Sequence, residues 1–158
     1  MFAQLSLIDI ESLKIHEMIN LRHLCDLQKQ ISKDGCIKVP IIVDKKSLVV
    51  LDGHHRLNCC KNLGFKKIPC MLVDYIADPE IRVYSRRKSF EITKKIVVAA
   101  GLTGSLFPQK TTRHFVPYKF KNVFIPLTYL QGKLTFSIWS QKKDQPLSTI
   151  SFPILRIF

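Results

Sequence analysis

At 158 residues with 46% apolar side chains, the chain is long enough for one domain with a real core, and no apolar run reaches bilayer-spanning length. Its 25 Lys and Arg against 12 Asp and Glu give a formal charge of +13, which calls for an anionic partner without choosing among nucleic acid, nucleotide and membrane surface. The basic residues are spread thinly, in short clusters such as Arg86-Arg87-Lys88 and Lys142-Lys143, whereas a DNA-binding arm concentrates them.

Met1 to Glu11 lacks the basic start and long apolar core of a signal peptide, so a soluble, cytoplasmic protein with no membrane partner is expected. The five cysteines, Cys25, Cys36, Cys59, Cys60 and Cys70, include no C-x-x-C pair. Zinc ligation needs paired spacings, so buried, reduced core thiols are expected at all five positions.

In chain order, Leu5 to Ile15 alternates loosely and suggests a first strand, followed by a turn carrying His16 and Glu17. Leu24, Leu27 and Ile31 recur at helical spacing within Leu21 to Ser32, and Gly35 stands where a C-terminal cap belongs. Val39 to Val43 and Leu48 to Leu51 read as the strands of a hairpin around Asp44-Lys45-Lys46-Ser47. The second strand ends in Asp52-Gly53-His54-His55-Arg56, and an amphipathic stretch follows to Leu63, closed by Gly64. That is strand, tight turn, helix, with Asp52 a candidate cap. Ile68 to Val73 is another strand, running through Pro69.

Ser89 predicts the N-cap of a helix from Phe90 to about Ala100, with Gly101 after its end. Leu102 to Thr112 reads as a loop that finishes in Lys110-Thr111-Thr112-Arg113-His114. Asn122 to Leu127 reads as a short strand, and from about Lys133, past Trp139, no period is visible. The sum is an α/β (mixed α+β) domain over residues 1–130, with a divergent extension over 131–158.

Two polar groups carry chemistry. The free N–H groups and positive dipole end of a helix opening at Gly53 favour an anion, commonly phosphate, and His54, His55 and Arg56 deepen that preference. The plainer alternative is a surface helix start in which Arg56 makes an ordinary ion pair. Lys110, Thr111, Thr112, Arg113 and His114 suit carboxylate or phosphate oxygens, although a solvated basic loop is the usual fate of such a run. No spacing singles out Glu17.

Pro40-Ile41-Ile42-Val43, Leu51-Asp52-Gly53-His54-His55-Arg56, Leu63-Gly64 and Ile68-Pro69-Cys70 together resemble the core of the ParB/sulfiredoxin superfamily. Followed by Pro108-Gln109-Lys110-Thr111-Thr112-Arg113-His114, the pattern looks like its free L-serine kinase branch over roughly Leu5 to Leu130. The resemblance implies a small domain with a mixed sheet flanked by helices, phosphorylating free serine to O-phosphoserine with ATP or ADP. It implies Glu17 as the base for the serine hydroxyl and Asp52 as the group aligning that hydroxyl or the metal-nucleotide. Gly53, His54, His55 and Arg56 would hold the nucleotide phosphates. Lys110, Thr111, Thr112, Arg113 and His114 would receive the serine carboxylate and the transferred phosphoryl group. Mg²⁺ is implied through the nucleotide, since no carboxylate cage for a dedicated metal is visible. His54 and His55 replace the reactive cysteine of sulfiredoxins, which argues against sulfinic acid repair. A ParB-like nucleotide or DNA clamp without phosphoryl transfer is the alternative, although no helix-turn-helix pattern follows residue 130.

Overall fold

In the computed structural model, residues 4–120 and 123–131 are described. Strand β1 (Gln4–Asp9) runs into a single 3-10 turn, Ile10–Ser12, so the loosely alternating first segment is shorter as a strand than its sequence suggests. Helix α1 (Leu21–Asp34) follows. Asn20 Oδ1 accepts from the His23 N–H at 3.0 Å, and Gly35, with φ of 65°, closes the helix as expected.

The expected hairpin forms as β3 (Ile41–Asp44) and β4 (Val50–Asp52), preceded by a short β2 (Cys36–Ile37). Buried Asp44 organises its turn: one carboxylate oxygen accepts from the Ser47 N–H and hydroxyl, the other from the Tyr75 N–H. Helix α2 (His54–Asn62) and β5 (Lys67–Val73) come next. The four-stranded sheet has the order β1-β5-β3-β4, with β3 and β5 parallel and the other pairs antiparallel. Pro69 lies opposite Leu7 of β1, one residue before β3 joins the sheet at Cys70, so it sits where β5 has a single neighbour.

Both sheet faces are covered, which explains why its strands read as continuous apolar runs. Ile41, Val43, Val50, Ile68 and Cys70 point to the side packed by α1 and α2, with Leu24, Ile31, Leu57, Cys59 and Cys60. Ile42, Leu51, Met71 and Val73 point to the other, with Tyr75, Ile81, Val97 and Val116. Cys59, Cys60 and Cys70 are core thiols, but Cys36 is half-buried and Cys25 is exposed. Cys25 follows buried Leu24 by about 100° of helix rotation, which turns it to solvent.

Three further expectations are corrected. The helix expected from Phe90 is α3 (Lys94–Thr103), capped by the Thr93 hydroxyl, which accepts from the Ile96 N–H at 3.2 Å, and ended at Gly104. Gly101 lies inside it against Val49. The stretch 105–111 is a loop as expected, but the polar run that ends it continues into β7 (Thr112–Phe115), which pairs with β6 (Arg82–Ser85). The expected strand near 122–127 shrinks to β8 (Ile125–Pro126), which pairs with β2 and leads into α4 (Leu127–Leu130). The aperiodic tail, including Trp139, lies outside the described residues. No helix among the described residues is long and apolar enough to cross a membrane.

Candidate active site

The turn between β4 and α2 brings the first polar group to the sheet edge. Gly53 is the N-cap with φ of 102°, and a Cβ there would stand 2.5 Å from Ile41 Cγ2. Asp52 does not cap the helix; its carboxylate lies 3.5 Å from Arg56 Nη2 and 3.4 Å from Lys119 Nζ. Arg56 is partly a brace, because its Nη1 donates to the carbonyls of Val39 and Pro40 at 3.0 and 3.1 Å.

Glu17 ties in the second group from a distant part of the chain. Its Oε1 accepts from the Lys110 N–H at 2.7 Å. Its Oε2 accepts from the N–H groups of Thr111 and Thr112 at 3.2 and 2.8 Å, and from the Thr112 hydroxyl at 2.8 Å. The backbone also joins here: Phe107 N–H donates to His16 O, and Met18 N–H donates to Phe107 O. Lys110 takes φ of 58° so that three successive N–H groups can turn towards one carboxylate. Thr111 is fully buried and its hydroxyl donates to Pro108 O at 2.7 Å, so it serves the loop rather than the cavity.

A cavity of about 410 Å³ is lined by Glu17, Asp52, Gly53, His54, His55 and Arg56 on one side and by Lys110, Thr112, Arg113 and His114 on the other. The two polar groups therefore share one cleft. Thr111 is the one expected site residue that does not line it. Met18, His23, Leu27, Arg86 and Lys119 also line it and had no signal of their own in the sequence. Arg86 arrives because its N–H donates to Thr111 O at the end of the β6–β7 ribbon, a pairing that local patterns do not reveal.

The cavity's positive charge comes from Arg56, Arg86, Lys110, Arg113 and Lys119, against the carboxylates Glu17 and Asp52. His54, His55 and His114 offer hydrogen-bonding atoms rather than charge. Burial pushes the His114 pKa down to about 3; the ring bonds the Leu51 backbone and takes the Tyr75 hydroxyl at 2.9 Å on Nε2. Burial also lowers His54, and the neighbouring rings of His16, His114 and His55 add to the effect. Among the described residues, His54 Nε2 is buried with no hydrogen-bond partner, an unpaired atom of the kind ligand sites tolerate. His55 is lowered too, mainly by burial, and its Nε2 accepts from the Asn20 N–H at 3.0 Å, which leaves Nδ1 to carry its hydrogen.

Among the described residues, no group of three His, Cys, Asp or Glu side chains is placed to hold a metal ion. Of the two cavity carboxylates, Glu17 takes three of its four protein hydrogen bonds on Oε2 and one on Oε1, which leaves room on Oε1 for a proton, while Asp52, held by longer ion pairs, is the more open to a cation carried by a ligand's own phosphates.

No protein-family model matches the chain. The fold is that of a solved free serine kinase in complex with AMP: the superposition gives a TM-score of 0.73 at 15% identity and covers 80% of this chain and 93% of that one. Among curated proteins, 73 residues are 41% identical to the ATP-dependent L-serine kinase of Staphylothermus marinus, covering 44% of this chain and 29% of that protein. A stretch of 84 residues is 38% identical to the ParB-like protein of Sulfolobus acidocaldarius, covering 52% of this chain and 42% of that one. The matches thus span less than half the length of these curated relatives. The resemblance first carried by Asp52 to Arg56 and by Pro108 to His114 is borne out by these relatives and by the shared mixed-sheet fold.

Proposed function

We propose that this domain transfers the terminal phosphoryl group of ATP or ADP to the hydroxyl of free L-serine, giving O-phospho-L-serine. The observation that carries this reading is the single cleft in which the Gly53–Arg56 turn faces Lys110 and Arg113, with the Glu17 carboxylate at its wall. Phosphoryl transfer depends chiefly on holding two anionic reactants in line and neutralising their charge, which is what such a cleft does. The curated kinase of Staphylothermus marinus supports the substrate, and the fold shared with a nucleotide-bound kinase supports the donor.

In this reading the free N–H groups at the start of α2 and the His55 Nδ1–H hold the nucleotide phosphates. Lys110 and Arg113 take the serine carboxylate, and the Thr112 and His114 side chains line the same pocket. Glu17 receives the hydroxyl proton as the serine oxygen bonds to phosphorus and the bond to the leaving nucleotide breaks. Asp52, between Arg56 and Lys119, orients the hydroxyl or the metal-nucleotide. Asp52 would be the residue facing a nucleotide-borne Mg²⁺, which would supply neutralisation of phosphate charge. The cytoplasm, which supplies nucleotide and free serine, is the proposed compartment.

Incubation of the full chain with serine, Mg²⁺ and either nucleotide should yield phosphoserine by mass spectrometry. Glu17→Ala should lower turnover by roughly 100-fold or more while nucleotide binding persists. Full turnover in that variant removes Glu17 from the reaction. The ParB-like relative supports a second reading, a phosphate-gripping clamp without transfer. It predicts no phosphoserine and DNA affinity that falls steeply between about 50 and 200 mM salt.

A further inference from the structure

His16 is wholly buried behind the cavity, does not line it, and has no part in the reaction described above. Its Nδ1 stands 2.7 Å from the Val50 carbonyl oxygen. A carbonyl only accepts, so Nδ1 carries the hydrogen. Its Nε2 stands 3.0 Å from Thr112 Oγ1, the same hydroxyl that reaches Glu17 Oε2 at 2.8 Å.

Burial lowers the His16 pKa, opposed by the Val50 carbonyl and the Glu17 charge. The groups facing the ring are His54 of α2 at 4.6 Å and His114 of β7 at 5.6 Å between centroids, and Phe107 at 6.4 Å. Both histidine neighbours are also driven towards the neutral form by burial. His16 Nε2 and Glu17 Oε2 both face the Thr112 hydroxyl as acceptors, so two acceptors compete for one hydrogen. The arrangement is one hydrogen short, and a proton arriving at Glu17 resolves it.

We propose that His16 is a positioning residue that takes over the Thr112 hydrogen bond when Glu17 gains the substrate proton. This rests on the kinase reading for the source of that proton. The substrate O–H bond breaks and its hydrogen bonds to the Glu17 carboxylate. The Thr112 hydrogen stays covalently on Oγ1 and rotates from the weakened Glu17 acceptor to His16 Nε2. No bond to His16 nitrogen forms or breaks, and no heavy atom moves. The neutral base thereby keeps its neighbours satisfied at the moment its charge disappears, and that state gains a hydrogen bond.

The test is a double-mutant cycle on kcat with a spectroscopic arm. His16→Phe keeps a ring of similar size and should cost roughly tenfold in kcat, the value of one hydrogen bond. Serine KM and nucleotide Kd should stay within about twofold, since His16 touches neither ligand in this scheme. In a Thr112→Val background the same replacement should cost nothing further, whereas equal losses in both backgrounds would overturn the proposal. The second arm does not need turnover. Nitrogen-15 spectra should show His16 as the Nδ1–H tautomer, and Glu17→Gln, mimicking the protonated base, should shift Nε2 upfield as it accepts from Thr112. An Nε2–H tautomer, or an Nε2 signal unmoved by Glu17→Gln, rejects the idea even where no nucleotide yields phosphoserine. Absence of phosphoserine with the predicted spectra would instead reject the kinase reading alone.

Discussion

Gly53 is the residue on which the phosphate-facing turn depends. Its φ of 102° is outside the range L side chains favour, and the Ile41 side chain occupies the space a Cβ would need. Arg56 Nη2 stands 3.0 Å from the same point, so a methyl group there disturbs the guanidinium as well. Gly53→Ala should therefore destabilise the protein by about 2–4 kcal/mol, combining backbone strain with overpacking. It should also weaken ADP binding at least roughly tenfold, because a small misplacement of the helix start costs oriented contacts. Urea unfolding and calorimetric titration measure the two effects; unchanged affinity would mean that the phosphates do not sit on this turn. The residues of this turn were legible because the glycine, imidazoles and arginine adjoin in the chain. Lys119 and Arg86 were not, because each reaches the cavity through long-range pairing. Thr111 misled for a local reason: an unbroken run of polar side chains does not show which one folds back onto its own loop, as this hydroxyl does onto Pro108.

Helix α3 shows the same limit at the scale of an element. Ser89 and Thr93 are both competent caps, and Gly101 is a plausible stop, so local chemistry permits a helix from 90 to 100. Burial decides otherwise. Val97, Ala100 and Gly101 form the inward stripe, and starting at Lys94 places that stripe on the sheet. Gly101 is needed for proximity: a Cβ there would lie 2.6 and 2.7 Å from the two methyls of fully buried Val49. Alanine at a mid-helix glycine normally stabilises by up to about 1 kcal/mol. Gly101→Ala should instead cost about 1–3 kcal/mol, because β-branched Val49 cannot rotate away. In a Val49→Ala background the same change should become neutral or stabilising. Thermal melts of the four proteins check this, and a loss that persists in that background would show that the helix is not seated on Val49. The hairpin and α2 were readable because their signals are contiguous. Strands β2 and β8, two residues each, exist only because they pair with each other, and no periodicity reveals so short an element.

Over the whole molecule, a chain of formal charge +13 keeps several imidazoles neutral around a cavity built for anions. Burial opposes their ionisation more strongly than it hinders hydrogen bonding, so attraction falls to guanidinium and ammonium groups at the cavity wall. This has a signed consequence for stability. A histidine whose folded pKa is depressed below its ordinary 6.5 stays neutral in the fold while its unfolded counterpart takes up a proton. Stability is thus fully present above about pH 7 and declines as pH falls below 6.5, continuing for His114 until about pH 3. His114 implies uptake of about one proton on unfolding near pH 5, a slope on the order of 1 kcal/mol per pH unit, and His54 adds to it in the same direction. Asp78 adds to the loss only at more acid pH, since the Tyr118 hydroxyl holds its carboxyl below the ordinary 3.8. Urea melts between pH 7.5 and 4.5 should show this early decline well above the carboxylate range. Nucleotide affinity should not rise between pH 8 and 6.5 while stability holds, because the buried imidazoles of His54 and His114 stay neutral there and add no charge to the anion site. A flat stability profile with affinity rising towards acid pH would instead mean that the imidazoles ionise in the folded protein and clamp the anion themselves.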